Sequence, residues 1–562
     1  MQEKEKNNEL LDRISDLEAQ IKKLKNRKKY GLVWEEKNEQ VVLDCQSRLP
    51  ILKEIKSKEI KTDKNKPVNI LIEGDNYHSL SVLNYTHREK IDVIYIDPPY
   101  NTGHNDFKYD DRFVDREDSY RHSQWLSFMK KRLKLSKKLL KNNGVLFVSI
   151  GDDEFAQLKI LLDEVFGENN FLANIVRKSK ETSNKGKYFS PSTDYIFCYA
   201  KNIDLLDEFN DAVAQTKDKY LKLFKYKDKR GLYNIVSLYM PSLDPRPNQR
   251  YYINCPDGTK VITPKMNKMF RWIPSTFERN LKDDRVVFIE SKTSPLIDEN
   301  GEQAKWNIYT KIYLHERQEK GVKPLTFIDI PNSGGSKELI KMGIEFSFSK
   351  PKELVESLVL ITNKNKSITI LDFFAGSGTT GQAVLELNKI DNGNRKFILC
   401  TNNENKICED VCYPRIEKVI RGYKNLKSEK VEGLGGNLKY YKTDFVDTDH
   451  ISKISDEGKI KLSYQVGEMI ALRENILDEV EKNDWWQIFA DDKKVLAIYF
   501  EEDKRKLQKL VAKLNKDNKK VILYIFSWGK NEYKNEFSDC ENIRVEDIPE
   551  PILEVYKEIN KL

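Results

Sequence analysis

The chain has 562 residues, 39% hydrophobic and 33% charged, the balance of a globular protein long enough for roughly three folding units. No apolar run reaches membrane-spanning length and the charged N-terminus carries no apolar leader, which argues against a membrane or secreted protein and for a cytoplasmic one. The 97 basic and 89 acidic residues leave a net charge of +8, which permits nucleic-acid binding without requiring it; 7 Cys with no C-x-x-C pair and 6 scattered His point to a reducing compartment and to no metal site.

Leu10, Ile14, Leu17, Ile21 and Leu24 form a short apolar stripe on a helix, too short to argue a coiled coil by itself. A strand ending in Ile72-Glu73 leads to Gly74-Asp75-Asn76, where an acid suits a helix N-cap. The apolar run Asp92–Ile96 then reads as a buried strand, stopped by Asp97-Pro98-Pro99-Tyr100 because neither Pro can donate a ladder hydrogen bond. This puts an acid, a stiff turn and an aromatic ring at the C-terminal end of a strand, the edge where open α/β sheets bind ligands. The combination suits an exocyclic amine on a flat base. Asp97 and the Pro98 carbonyl can accept its two N–H bonds and localise its lone pair, while Tyr100 stacks on the ring. The competing reading is an ordinary turn after a buried strand.

Asn101-Thr102-Gly103, with Asp106, Phe107 and Tyr109, reads as a mobile loop over such a base. Trp125–Met129 opens a long helix and Gly144–Ile150 is the next strand; Asp152, Asp153 and Glu154 then read as acids in the first turn of a helix. From about residue 181 to 336 the α/β rhythm is lost. Arg246, Asn248, Arg250, Arg271 and Trp272 place basic and polar groups beside aromatics, a pattern suited to phosphate contact and base stacking. Ser367–Phe374 is again a strand, followed by the turn Ala375-Gly376-Ser377-Gly378-Thr379-Thr380-Gly381 and a helix. Its glycines allow close backbone approach to a ligand. The turn satisfies G-x-G-x-x-G, but the acid after the next strand, Lys396–Thr401, is displaced to Glu404. Beyond residue 425, strands at Val495–Phe500 and Val521–Ile525 flank a Lys-rich helix in a βαβ-like unit.

The tetrad together with Asp372-Phe373-Phe374-Ala375-Gly376-Ser377-Gly378 resembles the amino-group DNA methyltransferases that use S-adenosylmethionine. The tetrad comes first and the Gly-rich loop much later, as in the circularly permuted β class. The resemblance implies a Rossmann-like α/β methyltransferase core with an inserted target-recognition domain and a C-terminal α/β domain. The acid in the tetrad points to adenine N6, where a Ser commonly accompanies cytosine N4. By the same resemblance Asp97, Pro98, Pro99 and Tyr100 are catalytic. The cofactor would be held by Asp75, Phe348, Lys350, Asp372, Phe374, Ala375, Gly376, Ser377, Gly378, Thr379 and Thr380, with Asn403 or Glu404 at the ribose. Phe348 is equally readable as core. Asn101, Arg246, Asn248, Arg250, Arg271 and Trp272 are the candidate DNA contacts.

The N-terminal helix with Tyr30–Glu35, and the C-terminal unit, resemble modification subunits of type III restriction-modification systems. The implied organisation is an N-terminal helical segment (1–45), a first core half (46–180), a recognition domain (181–336), a second core half (337–428) and a docking domain (429–562). The implied partners are double-stranded DNA, a second copy of the chain, and a helicase-nuclease restriction subunit. An orphan methyltransferase of the same class, a nicotinamide oxidoreductase and a catalytically idle recognition subunit are the alternatives. The oxidoreductase leaves the tetrad unexplained.

Overall fold

Two stretches of chain, far apart in sequence, build one sheet. The computed structural model describes residues 34–561 except 37–38, 105, 111, 182–187, 211–220, 242–245, 265–267, 321–322, 363–364, 452–453, 516–518, 530–532, 534–535, 538–539 and 541; the stripe from Leu10 to Leu24 and residues 30–33 lie outside the described residues. The first stretch supplies β1 (Arg48–Glu54), β2 (Val68–Glu73), α1 (Asn76–Thr86), β3 (Ile91–Ile96), α2 (Arg121–Leu139), β4 (Leu140–Ile150), α3 (Phe155–Phe166), β5 (Phe171–Lys178) and β6 (Thr193–Ala200). The second supplies β7 (Phe327–Asp329), α4 (Ser333–Lys341), β8 (Thr369–Asp372), α5 (Thr379–Asp391), β9 (Lys396–Thr401), α6 (Tyr413–Arg421) and β10 (Asn437–Asp447).

With the short strand Ile60–Lys61 beside β10, these form an 11-stranded sheet in the order β1-β10-β2-β9-β8-β3-β4-β6-β5-β7. The six strands from β10 to β4 are parallel, and β1 and β6 run antiparallel to their neighbours. Helices cover a parallel sheet on both faces, which is why β3 and β9 are almost wholly buried and read as unbroken apolar runs. Strands β8 and β9 lie between β2 and β3 in space although they follow them by some hundreds of residues in sequence. The C-terminal edges of β2, β9, β8, β3 and β4 therefore make one continuous rim.

Two compact units are distinguished, one of residues 1–206, 326–352 and 366–562, the other of residues 207–325 and 353–365. Residues 181–206 and 326–336, expected within the recognition segment, instead supply β6, β7 and the start of α4 to the core sheet. The first unit also holds a five-stranded sheet built from Glu479–Lys482, Trp486–Ala490, Lys494–Tyr499, Lys520–Phe526 and Ile543–Ile548. The Lys494–Tyr499 and Lys520–Phe526 strands are parallel and joined by the helix Lys504–Leu514, whose N-cap Asp503 accepts from the Arg505 and Lys506 amides. The helix Glu550–Ile559 packs on α1, with Glu558 paired to Arg88 at 2.7 Å. The second unit has a four-stranded antiparallel sheet (Tyr226–Asp228, Gly231–Ser237, Trp306–Tyr313, Val286–Glu290) over a core including Leu238, Phe270, Phe277 and Ile308. Among the described residues no helix is long and apolar enough to cross a membrane.

Candidate active site

The tetrad follows β3 at the middle of the rim. The Trp125 indole, from α2, donates to the Pro99 carbonyl at 2.8 Å and fixes the turn. The half-buried Tyr100 ring lies against Gly151 just past β4, so closely that a Cβ at 151 would stand 2.8 Å from Tyr100 Cδ2. Burial, reinforced by the charge of Asp97, pushes the Tyr100 phenol well up, so it stays a neutral hydroxyl.

Asn101 does not face outward. It is fully buried in the left-handed region (φ +57°). Its amide donates to Glu154 Oε1 at 2.6 Å and to the Arg121 carbonyl at 3.2 Å. That geometry makes it an anchor of the turn that follows β3, with its side chain buried where the expected DNA contact needs it exposed. Glu154, read from sequence as a first-turn acid, is buried beneath it and also meets His122 Nδ1 at 2.7 Å. Burial pushes its carboxyl up to about 8 and pushes the His122 imidazole down, so both groups favour their neutral forms. The segment after Asn101 is likewise packed: Phe107 and Tyr109 are buried, and the Phe107 ring meets Phe128 edge-on at 5.2 Å.

The Gly-rich loop follows β8, the neighbour of β3. Asp372 is buried and pins the loop: Oδ1 accepts from the Phe374 amide at 3.0 Å and Oδ2 from the Thr380 hydroxyl at 2.6 Å. Burial pushes its carboxyl up to about 7. Gly378 (φ +79°) opens α5, and a Cβ there would stand 3.1 Å from Cys412 Sγ. Gly376 (φ +49°) has a single backbone oxygen near its Cβ position, at 3.9 Å, so the front of the loop is open.

Behind the loop, Arg415 of α6 is fully buried. It donates to Ser377 Oγ (3.0 Å), Thr379 Oγ1 (2.8 Å) and Ser349 Oγ (3.2 Å), and through Nε to Gln382 Oε1 (2.8 Å). The hydroxyls of Ser377, Thr379 and Thr380 are thus engaged inside the fold, as are the amides of Phe374, Ala375 and Gly378, which donate to Asp372 Oδ1 and to the Cys400 and Ala375 carbonyls. Phe374 keeps a half-buried ring beside Phe128, and Ala375 is buried.

Further along the rim, Asp75 caps α1 by accepting from the Tyr77 amide at 2.7 Å and lies 3.5 Å from Arg132. Asn403 accepts from the Glu409 amide at 3.2 Å, and the exposed Glu404 pairs with Lys108. Lys350, expected among the residues that hold the cofactor, reaches the tetrad: its ammonium contacts both Asp97 oxygens, at 2.6 and 2.7 Å, and the Tyr100 hydroxyl, at 2.9 Å. Phe348 is 87% exposed and so is no part of the core. In the second unit Arg246 and Asn248 are exposed on a turn. Arg250 and Arg271 donate to the Thr263 and Ser237 carbonyls, and Trp272 packs on the local core while its carbonyl accepts from Tyr251. Among the described residues no group of His, Cys, Asp and Glu is arranged to hold a metal. Trp125, Gly151, Glu154 and Arg415 escaped sequence reading, because an indole, a glycine, an acid and a guanidinium at these spacings also suit ordinary helix and turn positions.

Residues 91–411 match the family model described as DNA methylase. The chain is 31% identical over 383 residues to the StyLTI Mod subunit of a Salmonella typhimurium type III restriction-modification enzyme, covering 63% of this chain and 56% of that protein. It is 31% identical over 448 residues to the EcoPI Mod subunit of Escherichia phage P1 (70% and 66% covered) and 30% identical over 391 residues to the type II methyltransferase M.KpnI of Klebsiella pneumoniae (64% and 89%). The match therefore spans just over half of the Salmonella relative. Among solved structures, the PvuII cytosine-N4-specific DNA methyltransferase aligns at a TM-score of 0.32 and 13% identity, over 64% of this chain and 94% of that one.

Proposed function

The chain belongs to the DNA methylase family that its residues 91–411 match, and on that premise we propose that it methylates N6 of an adenine taken out of double-stranded DNA, using S-adenosylmethionine. The observation that carries this reading is the placement of Asp97 and the Gly376–Gly378 turn after adjacent parallel strands, β3 and β8, whose register pairs Ile94 with Leu371. An acceptor for an amine and a cradle for a cofactor thus share one stretch of rim.

The residues fit the cofactor. The open face of Gly376, the half-buried Phe374 ring, and Asp75 with Asn403 or Glu404 further along the rim offer contacts for the methionine, adenine and ribose parts. When bound, S-adenosylmethionine supplies an electrophilic methyl group. The chain's own residues prepare the amine. Asp97 and the Pro98 carbonyl accept its N–H bonds and concentrate the lone pair on N6, an electrostatic effect set up before reaction. Tyr100, seated on Gly151, offers a flat face to an extruded base. The amine so prepared would take up that methyl group through its lone pair, displacing neutral S-adenosylhomocysteine with the electron pair of the broken bond, and the surplus N6 proton would pass to solvent.

The relatives named as Mod subunits of type III restriction-modification enzymes support a place as the modification subunit of such a system; sequence recognition, dimer formation, a cytoplasmic location and a separate restriction subunit are parts of the same proposal. The second unit, with Arg246 and Asn248 exposed, is the candidate reader of DNA sequence. An orphan methyltransferase of the same class is the second reading; a match that also covers 89% of the type II methyltransferase M.KpnI shows that the likeness is not confined to type III subunits. The test is transfer of labelled methyl from S-adenosylmethionine to unmethylated genomic DNA, followed by nucleoside analysis. N6-methyladenine from wild type and none from Asp97→Ala is expected. N4-methylcytosine would overturn the choice of base, and equal activity of the two proteins would overturn the role of the tetrad.

A further inference from the structure

The acceptor built for the amine is already engaged by Lys350. Its ammonium chelates Asp97, 2.6 Å from Oδ1 and 2.7 Å from Oδ2, bonds the Tyr100 hydroxyl at 2.9 Å, and lies 4.9 Å from the Tyr100 ring centre. These are the contacts that an exocyclic amine must make: N–H donors to the carboxylate, beside the same aromatic face. The amine needs only one Asp97 oxygen, its second N–H going to the Pro98 carbonyl, but an ammonium spanning both oxygens and the Tyr100 hydroxyl stands in the place its nitrogen must take, so the two compete for that place rather than for the carboxylate's full capacity.

The backbone of Lys350 is firmly seated. Gly335 of α4 packs so tightly that a Cβ there would stand 2.4 Å from the Ser349 carbonyl and 2.6 Å from that of Lys350. The Thr379 hydroxyl donates to the Lys350 carbonyl at 3.3 Å, and Ser349 Oγ joins the Arg415 network behind the Gly-rich loop. The four-carbon side chain, 11% exposed, is the part that a change of rotamer alone can move, with the backbone left in place.

Resting on the methyltransferase reading, we propose that Lys350 is a positioning residue whose ammonium stands in for the target amine: it fills the Asp97 acceptor while the pocket lacks a base, and leaves it as the base enters. Exchange of one N–H donor for another keeps Asp97 and Tyr100 set and never leaves a bare carboxylate in a cleft meant for DNA. It also makes the apparent affinity for a flippable adenine weaker than the intrinsic one, by the fraction of time Asp97 is occupied.

The test uses the full chain with S-adenosylhomocysteine as an unreactive cofactor. The recognition site is first read from the methylated bases that wild type leaves in genomic DNA. Duplexes carrying that site with either adenine or an abasic sugar at the target position are then titrated against wild type, Lys350→Met and Lys350→Arg. Removing the competitor is expected to tighten binding of the adenine duplex relative to the abasic one by roughly three- to tenfold. Arg, a bidentate and more tenacious partner for Asp97, is expected to move that ratio the other way. In turnover, Lys350→Met should lower KM for the DNA more than it changes KM for S-adenosylmethionine. Equal shifts for both duplexes, or a loss of adenine preference in Lys350→Met, would overturn the proposal. If the Met variant fails to bind even the abasic duplex, the Arg variant decides alone. Absence of N6-methyladenine from wild type would bring down the function and this inference together, whereas a failure confined to the variants brings down only the second.

Discussion

Glu154 gives the sharpest test of the site's internal electrostatics. Its carboxyl is fully buried under the catalytic turn, accepts from Asn101 and is pushed up to about 8. In the unfolded chain it titrates as an ordinary Glu, so between about pH 4.5 and 8 the native state holds a proton that the unfolded state has lost. The stabilising contribution is fully present below the unfolded pKa and is lost as pH rises through the folded one. A rise from the ordinary value to about 8 corresponds to roughly 4–5 kcal/mol over that window, as an upper bound. Glu154→Gln keeps an acceptor for Asn101 and cannot ionise. Urea denaturation of wild type and variant from pH 5 to pH 9 measures the difference, in which other titrating groups cancel. The variant should gain steadily on wild type toward alkaline pH. A difference that stays flat would refute the placement of a neutral Glu154 beneath Asn101.

Gly151→Ala puts a methyl group 2.8 Å from Tyr100 Cδ2, so the ring must shift at a cost of about 1–3 kcal/mol. Methyl transfer should fall by roughly tenfold or more if the shift forfeits about 1.4 kcal/mol of transition-state stabilisation, while cofactor titration is unchanged; a parallel loss of cofactor affinity would place Tyr100 elsewhere in the mechanism. Asp372 is pushed up to about 7 by burial; on the proposal that the cofactor's cationic amine lies beside it, the amine favours the carboxylate, and cofactor affinity should rise with pH up to about 7 and be flat in Asp372→Asn. Calorimetric titration across pH 5.5–8.5 reads this directly, and the same slope in both proteins would remove Asp372 from the cofactor's surroundings.

The local parts of the site were legible because strong physical constraints leave marks in short stretches of sequence. A buried parallel strand must be apolar on both faces, and two prolines must end it, so β3 and the tetrad stood out. The same holds for β8 and its glycines. What joins these parts was not legible. Lys350 and Asp97 are 253 residues apart, and nothing in Phe-Ser-Lys-Pro says which carboxylate the lysine meets. Asn101 and Glu154 are polar residues of kinds that normally face water, and only their mutual hydrogen bond shows that they turn inward. Arg415 reads as one more basic residue on a helix, yet it holds three hydroxyls behind the cofactor loop.

The strand order explains how the two motifs can be so far apart in the chain and adjacent in space. Strands β8 and β9 insert between β2 and β3, so β3, which leads into Asp97, and β8, which leads into the Gly-rich turn, run side by side where the two halves of the core join. Neither half alone contains both the Asp97–Tyr100 tetrad and the Gly-rich turn. The connection between the halves leaves the sheet after β6 and re-enters at β7, on the far side of β4 from the seam. Residues 207–325 occupy that connection. An insertion at a sheet margin leaves the register of the catalytic strands untouched, because no ladder hydrogen bond of β3 or β8 depends on its length. The unit proposed to read sequence is therefore free to vary in size and surface, while the distance from Asp97 to the cofactor loop is held by the pairing of Ile94 with Leu371.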